Sequence, residues 1–183
     1  MTILHIDSSI TGEASITRQL TASIVDRLTS ADPAATVIRH DLVAQPLPHL
    51  TLDALADHTL VDEFLAADTV VIGAPMYNFT LPTQLKAWLD RLLIAGRTFR
   101  YTPDGPEGLA GGRRVIVALA RGGFYGPGTP AASVEHLETY LRAAFGFIGI
   151  TPEFVIAEGI AVSPEQRAQS LAAALEETDL IPA

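Results

Sequence analysis

The chain has 183 residues, of which 48% are hydrophobic, and this is enough to bury a large core without disulfides or a structural metal. It contains no cysteine, which excludes disulfides, thiolate zinc sites and cysteine-ligated iron–sulfur clusters. The formal net charge of −9 at pH 7 disfavours nucleic acid and anionic membranes as partners, because both attract clustered Lys and Arg. We therefore expect one acidic domain over residues 1–183.

Short apolar segments alternate with helical patterns along the chain. The predicted strands are residues 3–6, 36–39, 69–73, 115–120 and 153–157. The predicted helices are residues 15–28, 52–67, 82–95, 133–145 and 164–177. This alternation predicts an α/β fold in which a parallel sheet carries helices on both faces.

Capping residues support several of these boundaries. Ser133 and Ser163 are predicted N-caps, and Gly96 is predicted to end the third helix. That helix has a broad apolar stripe, which is interpreted either as core or as a dimer contact formed by Trp88 or its neighbours. Residues 98–114 form the longest irregular stretch, and we expect this excursion to cover a neighbouring site or subunit.

The remaining sequence signals predict a cytoplasmic protein. Residues 2–6 form a strand pattern at once, without the basic segment, apolar region and cleavage site of a secretion signal. No apolar run approaches the roughly 18 residues that a transmembrane helix requires. The five histidines are scattered without metal-ligand spacing, so no metal site is predicted.

The loop after the first predicted strand is rich in hydroxyl groups and leads into a helix. A helix N-terminus presents free N–H groups and a partial positive charge, which suit a phosphate. The hydroxyls of Ser9, Ser15 and Thr17 can donate further hydrogen bonds to it. Neither a GxxxxGK[ST] nor a GxGxxG motif occurs, which disfavours a triphosphate or a tightly held dinucleotide. Serine and threonine also cap helices generally, so this loop alone leaves a purely structural role open.

Two further loops follow predicted strands at the edge of the sheet where ligands bind in open α/β folds. Residues 74–79, with the sequence APMYNF, offer a thioether, a phenol, a carboxamide and a phenyl ring to a flat ligand. Residues 120–128 contain Gly122 and Gly123, whose backbone can approach a ligand closely, although a flexible turn with surface aromatics is the alternative. A ligand with a phosphate at one end and a planar, hydrogen-bonding ring at the other is described well by flavin mononucleotide, FMN.

Taken together, these motifs resemble the FMN-dependent NADH:quinone oxidoreductases and azoreductases with a flavodoxin-like fold. The matching segments are Ser8 and Ser9 with Ser15 and Thr17, and residues 74–79, 84–86, 98–102, 121–123 and 146–151. The resemblance implies a three-layer sandwich around a five-stranded parallel sheet of order 2-1-3-4-5. It also implies a homodimer with two FMN sites near the interface.

The resemblance further implies an activity and a set of site residues. NADH or NADPH would reduce FMN, and a quinone, azo compound or nitroaromatic would then reoxidise it. The implied cofactor-binding residues are Ser9, Ser15, Ile16, Thr17, Pro75, Met76, Tyr77, Asn78, Phe79, Ala120, Arg121, Gly122 and Gly123. The residues expected around the substrate pocket are Phe99, Tyr101, Phe124 and Tyr125. Because the flavin N5 is the reacting atom, no protein acid or base is expected as a catalytic residue.

Two positions depart from the family pattern. Ala120 stands where the family often has a serine, which removes one hydroxyl contact to the flavin. Residues 50–62 form a shorter segment than in family members. Both departures bear on substrate access and on the choice between NADH and NADPH.

The sequence leaves three alternative functions. A flavodoxin-like electron carrier would share the fold and FMN but would not oxidise NADH, and the aromatic excursion at residues 98–114 suits a covered substrate pocket better. A non-catalytic FMN or nucleotide-binding module is a second alternative. A hydrolase is the weakest, since no nucleophile–base pair is evident.

Overall fold

A computed structural model describes residues 1–182. The strands, in chain order, are β1 (Thr2–Asp7), β2 (Thr36–Asp41), β3 (Thr69–Pro75), β4 (Phe99–Thr102), β5 (Gly105–Gly108), β6 (Arg114–Ala120) and β7 (Glu153–Ala157). The α-helices are α1 (Ile16–Ala31), α2 (Leu52–Ala56), α3 (Thr59–Ala66), α4 (Thr83–Leu89), α5 (Glu138–Phe147) and α6 (Pro164–Asp179). None of the helices within residues 1–182 has the length and apolar character needed to span a membrane.

The main sheet contains five parallel strands in the spatial order β2–β1–β3–β6–β7. This confirms the predicted parallel sheet and its order, since the two extra strands change only the numbering. Every residue of β3 is buried, because this central strand is covered on both faces. The edge strand β2 is partly exposed along its length.

Alternate residues of the central strands face two separate cores. Val70 and Ile72 contribute to a core with α3, α4 and α5, whereas Val71 between them contributes to a core with α1 and α6. This alternation follows from the period of two in a β-strand. The fold therefore has three layers, with helices on both faces of the sheet, as the sequence predicts.

Trp88 of α4 belongs to the core. Its side chain is fully buried and packs edge to face on Phe64, with ring centroids 6.1 Å apart. The interpretation of Trp88 as a dimer contact is therefore wrong. A buried indole packed on another aromatic ring is instead typical of core anchoring between two helices.

The predicted irregular stretch at residues 98–114 is wrong in one respect, because it contains a β-hairpin. Strands β4 and β5 pair antiparallel, and Thr102 donates a hydrogen bond from its hydroxyl to the carbonyl of Gly105 at 2.8 Å. The hairpin lies so close to the end of α5 that a Cβ on Gly108 would be 2.2 Å from the amide nitrogen of Gly149. Strand β5 has the sequence GPEG, in which glycine and proline disfavour a strand, and β4 is only four residues long, so the hairpin could not be recognised from the sequence.

Three helix boundaries also differ from the prediction. Residues 52–67 form two helices, α2 and α3, because Asp57 interrupts them and accepts hydrogen bonds from Thr59. The third predicted helix ends at Leu89, and Gly96 lies in the turn before β4 with a φ of 79°. Ser133 lies in a 3-10 turn and is not the N-cap of α5.

The cap of α5 is provided by a carboxylate. Glu135 accepts hydrogen bonds from the backbone N–H groups of Leu137, Glu138 and Thr139. A carboxylate at this end of a helix also interacts favourably with the helix dipole. Ser163, by contrast, caps α6 as predicted and accepts a hydrogen bond from the N–H of Gln166 at 3.1 Å.

Candidate ligand site at the carboxyl ends of the strands

A cavity of about 330 Å³ lies at the carboxyl ends of β1, β3, β6 and β7. This volume is within the usual range for small-molecule sites, roughly 300–1,000 Å³. The cavity is lined by Ser9, Thr11, Ala14, Ser15, Ile16, Thr17, Pro75, Met76, Tyr77, Ala120, Gly122, Ile160, Ala161 and Arg167. A larger depression of about 810 Å³ lies along α1 and includes Asp179 of α6, but it is an open surface that contains no residue from the carboxyl ends of the strands. The first cavity is therefore the candidate site.

One end of the cavity is formed by the N-terminus of α1. Ser15 has an extended backbone and caps the helix, with its hydroxyl accepting a hydrogen bond from the N–H of Arg18 at 3.2 Å. No hydrogen bond within residues 1–182 uses the N–H groups of Ile16 and Thr17. Ser9, Ser15 and Thr17 are all buried beside these donors. The predicted phosphate-binding residues thus converge on one helix N-terminus.

A salt bridge between Arg18 and Asp41 supports the loop after β1. The guanidinium of Arg18 binds both carboxylate oxygens of Asp41, at 2.8 and 2.9 Å, and donates to the carbonyl of Ser9 at 3.0 Å. The hydrogen bond from Arg18 lowers the pKa of the Asp41 carboxyl to about 2. Because Asp41 ends β2 and Arg18 lies in the first turn of α1, the pair fixes the loop to the neighbouring strand.

Asp7 adds a second charge to this network. Its carboxylate is fully buried at the end of β1 and accepts hydrogen bonds from Arg39 at 2.9 Å and from Thr21 at 3.0 Å. Burial opposes ionisation, yet the pKa of Asp7 lies below its ordinary value because His5 and Arg39 stabilise the carboxylate. No local sequence pattern marks Asp7, Arg39 or Thr21 as partners.

The loop after β3 forms the floor of the cavity. The N–H of Met76 donates to the carbonyl of Ala120 at 2.8 Å, and Tyr77 exchanges two backbone hydrogen bonds with Thr80, at 2.9 and 3.2 Å. The two residues enclosed by this turn, Asn78 and Phe79, have positive φ angles of 47° and 74°. Such strain in residues other than glycine is often found at functional sites.

The loop after β6 lies beside the loop after β3, because these two strands are neighbours in the sheet. Gly122 lines the cavity and accepts a hydrogen bond from the N–H of Ala161 at 2.9 Å, so this loop is joined to the one after β7. In the part of the chain that the structure describes, the N–H groups of Gly122 and Gly123 donate to no protein acceptor. Two adjacent amide donors are therefore free for a ligand.

The side chain of Arg121 does not line the cavity. It is almost fully buried and lies 2.5 Å from Glu138, 2.8 Å from Glu158 and 3.3 Å from Glu135. Burial opposes its charge, but Glu158 and Glu138 together raise the pKa of the Arg121 guanidinium. Glu158 also accepts a hydrogen bond from the N–H of Tyr125, so this cluster supports the loop that contains the two glycines.

The remaining predicted residues fall into two groups. Asn78, Phe79, Gly123, Phe124 and Tyr125 belong to the loops around the site but do not line the cavity, and Phe79 packs on Tyr125 with ring centroids 6.3 Å apart. The other two predicted substrate residues lie in the hairpin, where the ring of Phe99 packs on that of Tyr101 at 5.5 Å. Within one chain, Phe99 and Tyr101 do not reach the cavity.

Five lining residues were missed by the sequence analysis. Thr11 and Ala14 lie in the first loop itself, whereas Ile160 and Ala161 follow β7 and Arg167 lies in α6. The order of the strands could have indicated the loop after β7, because it ends at the same edge of the sheet. Nothing local in the sequence marks Arg167.

The donor set of the cavity fits FMN. Hydroxyls and free helix N–H groups at one end suit a phosphate dianion, and the free amides of Gly122 and Gly123 suit the carbonyl and nitrogen edge of a flavin ring. Between them, Pro75, Met76 and Tyr77 offer an apolar surface for a planar ring. One end of the cavity therefore suits the phosphate of FMN, and the other suits its flavin ring.

Comparisons with known proteins agree with this geometry. A family model described as flavodoxin-like fold matches residues 1–180. The chain is 54% identical to FMN-dependent NADH:quinone oxidoreductase 2 of Bradyrhizobium diazoefficiens, over 96% of each chain. A crystal structure of azoreductase from Bacillus anthracis strain Sterne superposes with a TM-score of 0.89 at 31% identity, covering 97% of this chain and 96% of that one. An FMN-dependent NADH-azoreductase from Bacillus anthracis strain Ames Ancestor, in complex with FMN, gives 0.84 at 26% identity, covering 98% of each.

Proposed function

The chain belongs to the family of FMN-dependent NADH:quinone oxidoreductases with a flavodoxin-like fold, and on this premise we propose that it uses FMN in the strand-end cavity to reduce quinones and azo compounds with electrons from NADH. The observation that carries this proposal is the pair of free donor sets at the two ends of one cavity. They lie at Ile16 and Thr17 on one side and, on the other, at Gly122 in the cavity wall and at the adjacent Gly123.

Each part of the cavity has a defined role in this proposal. Ser9, Ser15 and Thr17 donate hydrogen bonds to the phosphate, which gains further stabilisation from the N-terminus of α1. Met76 and Tyr77 support one face of the ring. Bound FMN supplies the two-electron redox chemistry that links oxidation of NADH to reduction of the acceptor.

The protein tunes that chemistry through its backbone. The amide N–H groups of Gly122 and Gly123 are fixed dipoles that stabilise negative charge developing at the polar edge of the ring. They are held in place by the pairing of their loop with the loop after β7 and by the carboxylate cluster around Arg121. No side chain has to exchange a proton with the substrate.

The second face of the ring is where a nicotinamide or an acceptor would stack. Phe79 and Phe124 are 48% and 45% exposed on the loops beside the cavity, so they are available to a planar substrate. Phe99 and Tyr101 lie away from the cavity of their own chain, and a role in the substrate pocket requires the predicted homodimer. The proposal also includes NADPH as an electron donor and nitroaromatic compounds as acceptors. It further includes a cytoplasmic location.

Initial-rate kinetics test the proposal. Rates measured while NADH is varied at several fixed quinone concentrations should give parallel double-reciprocal lines, because donor and acceptor react in turn at one site. Replacement of the quinone by an azo dye should give the same pattern. Converging lines would contradict a shared site, and no oxidation of NADH would favour the electron-carrier alternative.

A further inference from the structure

Among residues 1–182, Arg167 is the only cationic side chain that lines the cavity. It lies in α6, yet its Nη2 donates a hydrogen bond to the carbonyl of Ala14 at 2.6 Å. Ala14 directly precedes Ser15, the N-cap of α1. The guanidinium is therefore placed beside the free N–H groups of Ile16 and Thr17, although it is 150 residues away along the chain.

The charge of Arg167 is not compensated by the protein. The guanidinium forms no ion pair within residues 1–182, and its other N–H donors have no acceptor there. Arg18, which also contacts the loop after β1, is neutralised by its two bonds to Asp41. The single lysine of the chain, Lys86, is paired with Asp90 on α4. In a chain with a net charge of −9, an unpaired arginine in a cavity is well suited to an anionic ligand.

We propose that Arg167 binds the phosphate of the flavin and makes the site selective for phosphorylated flavin. A neutral donor set can hold a phosphate, but a guanidinium adds charge-assisted hydrogen bonds that a flavin without phosphate cannot use. Its bond to Ala14 positions the guanidinium before the ligand arrives. This inference rests on the proposed function, since it concerns the same cavity.

The test compares flavins with and without the phosphate. Apoprotein is titrated with FMN and with riboflavin, and the dissociation constants are obtained from quenching of flavin fluorescence. The variant is Arg167→Gln, because glutamine keeps a polar amide donor but has no charge. Arg27→Gln is the matched control: Arg27 also donates to a carbonyl, that of Ile181, and lies about 16 Å along α1 from the site.

Arg167→Gln should raise the dissociation constant of FMN about tenfold or more, leave that of riboflavin within about twofold, and leave the thermal unfolding of the apoprotein unchanged. Arg167→Lys should recover part of the loss, and the control should bind both flavins as the unaltered protein does. Equal losses for both flavins would overturn the proposal, because Arg167 would then only support the turn at Ala14. Unchanged FMN affinity would overturn it as well. Failure of the unaltered protein to bind either flavin would instead refute the proposed function, and this inference with it.

Discussion

The hydroxyl of Tyr77 accepts a hydrogen bond from the backbone N–H of Ile10 at 3.1 Å. Tyr77 follows β3 and Ile10 follows β1, so this bond joins the loop that would support the ring to the loop that would hold the phosphate. The same hydroxyl lies 3.3 Å from the hydroxyl of Ser9. One side chain therefore links the floor of the cavity to the loop at its phosphate end.

Tyr77→Phe should weaken FMN binding by about 0.5–1.5 kcal/mol, because it removes this link and keeps the aromatic ring. The dissociation constant measured by fluorescence titration reports the loss. Tyr101→Phe is a matched control, since its hydroxyl is exposed on the hairpin and makes no hydrogen bond in the described chain. Equal affinities for Tyr77→Phe and the unaltered protein would show that the link does not shape the site.

Ser9→Ala should weaken FMN binding by about 1–3 kcal/mol, because a hydrogen bond to a charged phosphate is lost. Riboflavin binding should change less, since riboflavin has no phosphate. Ser30→Ala, at the far end of α1, provides the control. If Ser9→Ala and the control bind FMN alike, Ser9 has no part in the phosphate site.

Asn78→Gly separates the role of the carboxamide from that of the backbone. Glycine adopts the observed φ of 47° without strain, so the free energy of unfolding should not fall, whereas Asn78→Leu would add roughly 1–2 kcal/mol of strain. We expect slower reduction by NADH in stopped-flow measurements on Asn78→Gly, because a polar contact beside the ring is lost. Unaltered reduction with intact stability would remove Asn78 from the site.

Asp41→Asn should destabilise the protein in a pH-dependent way. The folded pKa of Asp41, about 2, lies below its unfolded value near 3.9, so the carboxylate stabilises the fold above about pH 4 and this stabilisation is lost as the pH falls towards 2. At neutral pH this shift corresponds to roughly 2–3 kcal/mol before solvent screening, which reduces the contribution because the Asp41 side chain is 30% exposed.

Urea unfolding of the apoprotein at several pH values tests this prediction. The difference in unfolding free energy between the unaltered protein and Asp41→Asn should be largest at pH 5–7 and should shrink between about pH 4 and pH 2. Asp104→Asn, in the hairpin turn, should show no such difference. A gap that stays constant with pH would contradict the assigned role of the Arg18–Asp41 pair.

The sequence predicts the sheet and much of the cavity for identifiable reasons. Continuous apolar runs such as residues 69–73 mark strands covered on both faces, and parallel strands place the loops that follow them at one edge. The sequence alone therefore places Ser9, Met76 and Gly122 together.

The residues that were missed depend on contacts between distant parts of the chain. Arg167 reaches Ala14 only because α6 and α1 pack side by side on one face of the sheet. The Arg18–Asp41 pair likewise depends on the register of β1 and β2, in which Asp7 lies beside Asp41. Neither arrangement has a local sequence pattern, since a single charged residue on a helix is usually solvated.

The most direct test of the proposed function is anaerobic mixing of the FMN-loaded protein with NADH, followed by addition of a quinone. We expect the visible absorbance of the bound flavin to decrease after NADH and to return after the quinone, and an azo dye should restore it in the same way. A flavin that keeps its colour under NADH would contradict the enzyme and favour an electron carrier. A protein that takes up no FMN would contradict the assignment of the cavity itself.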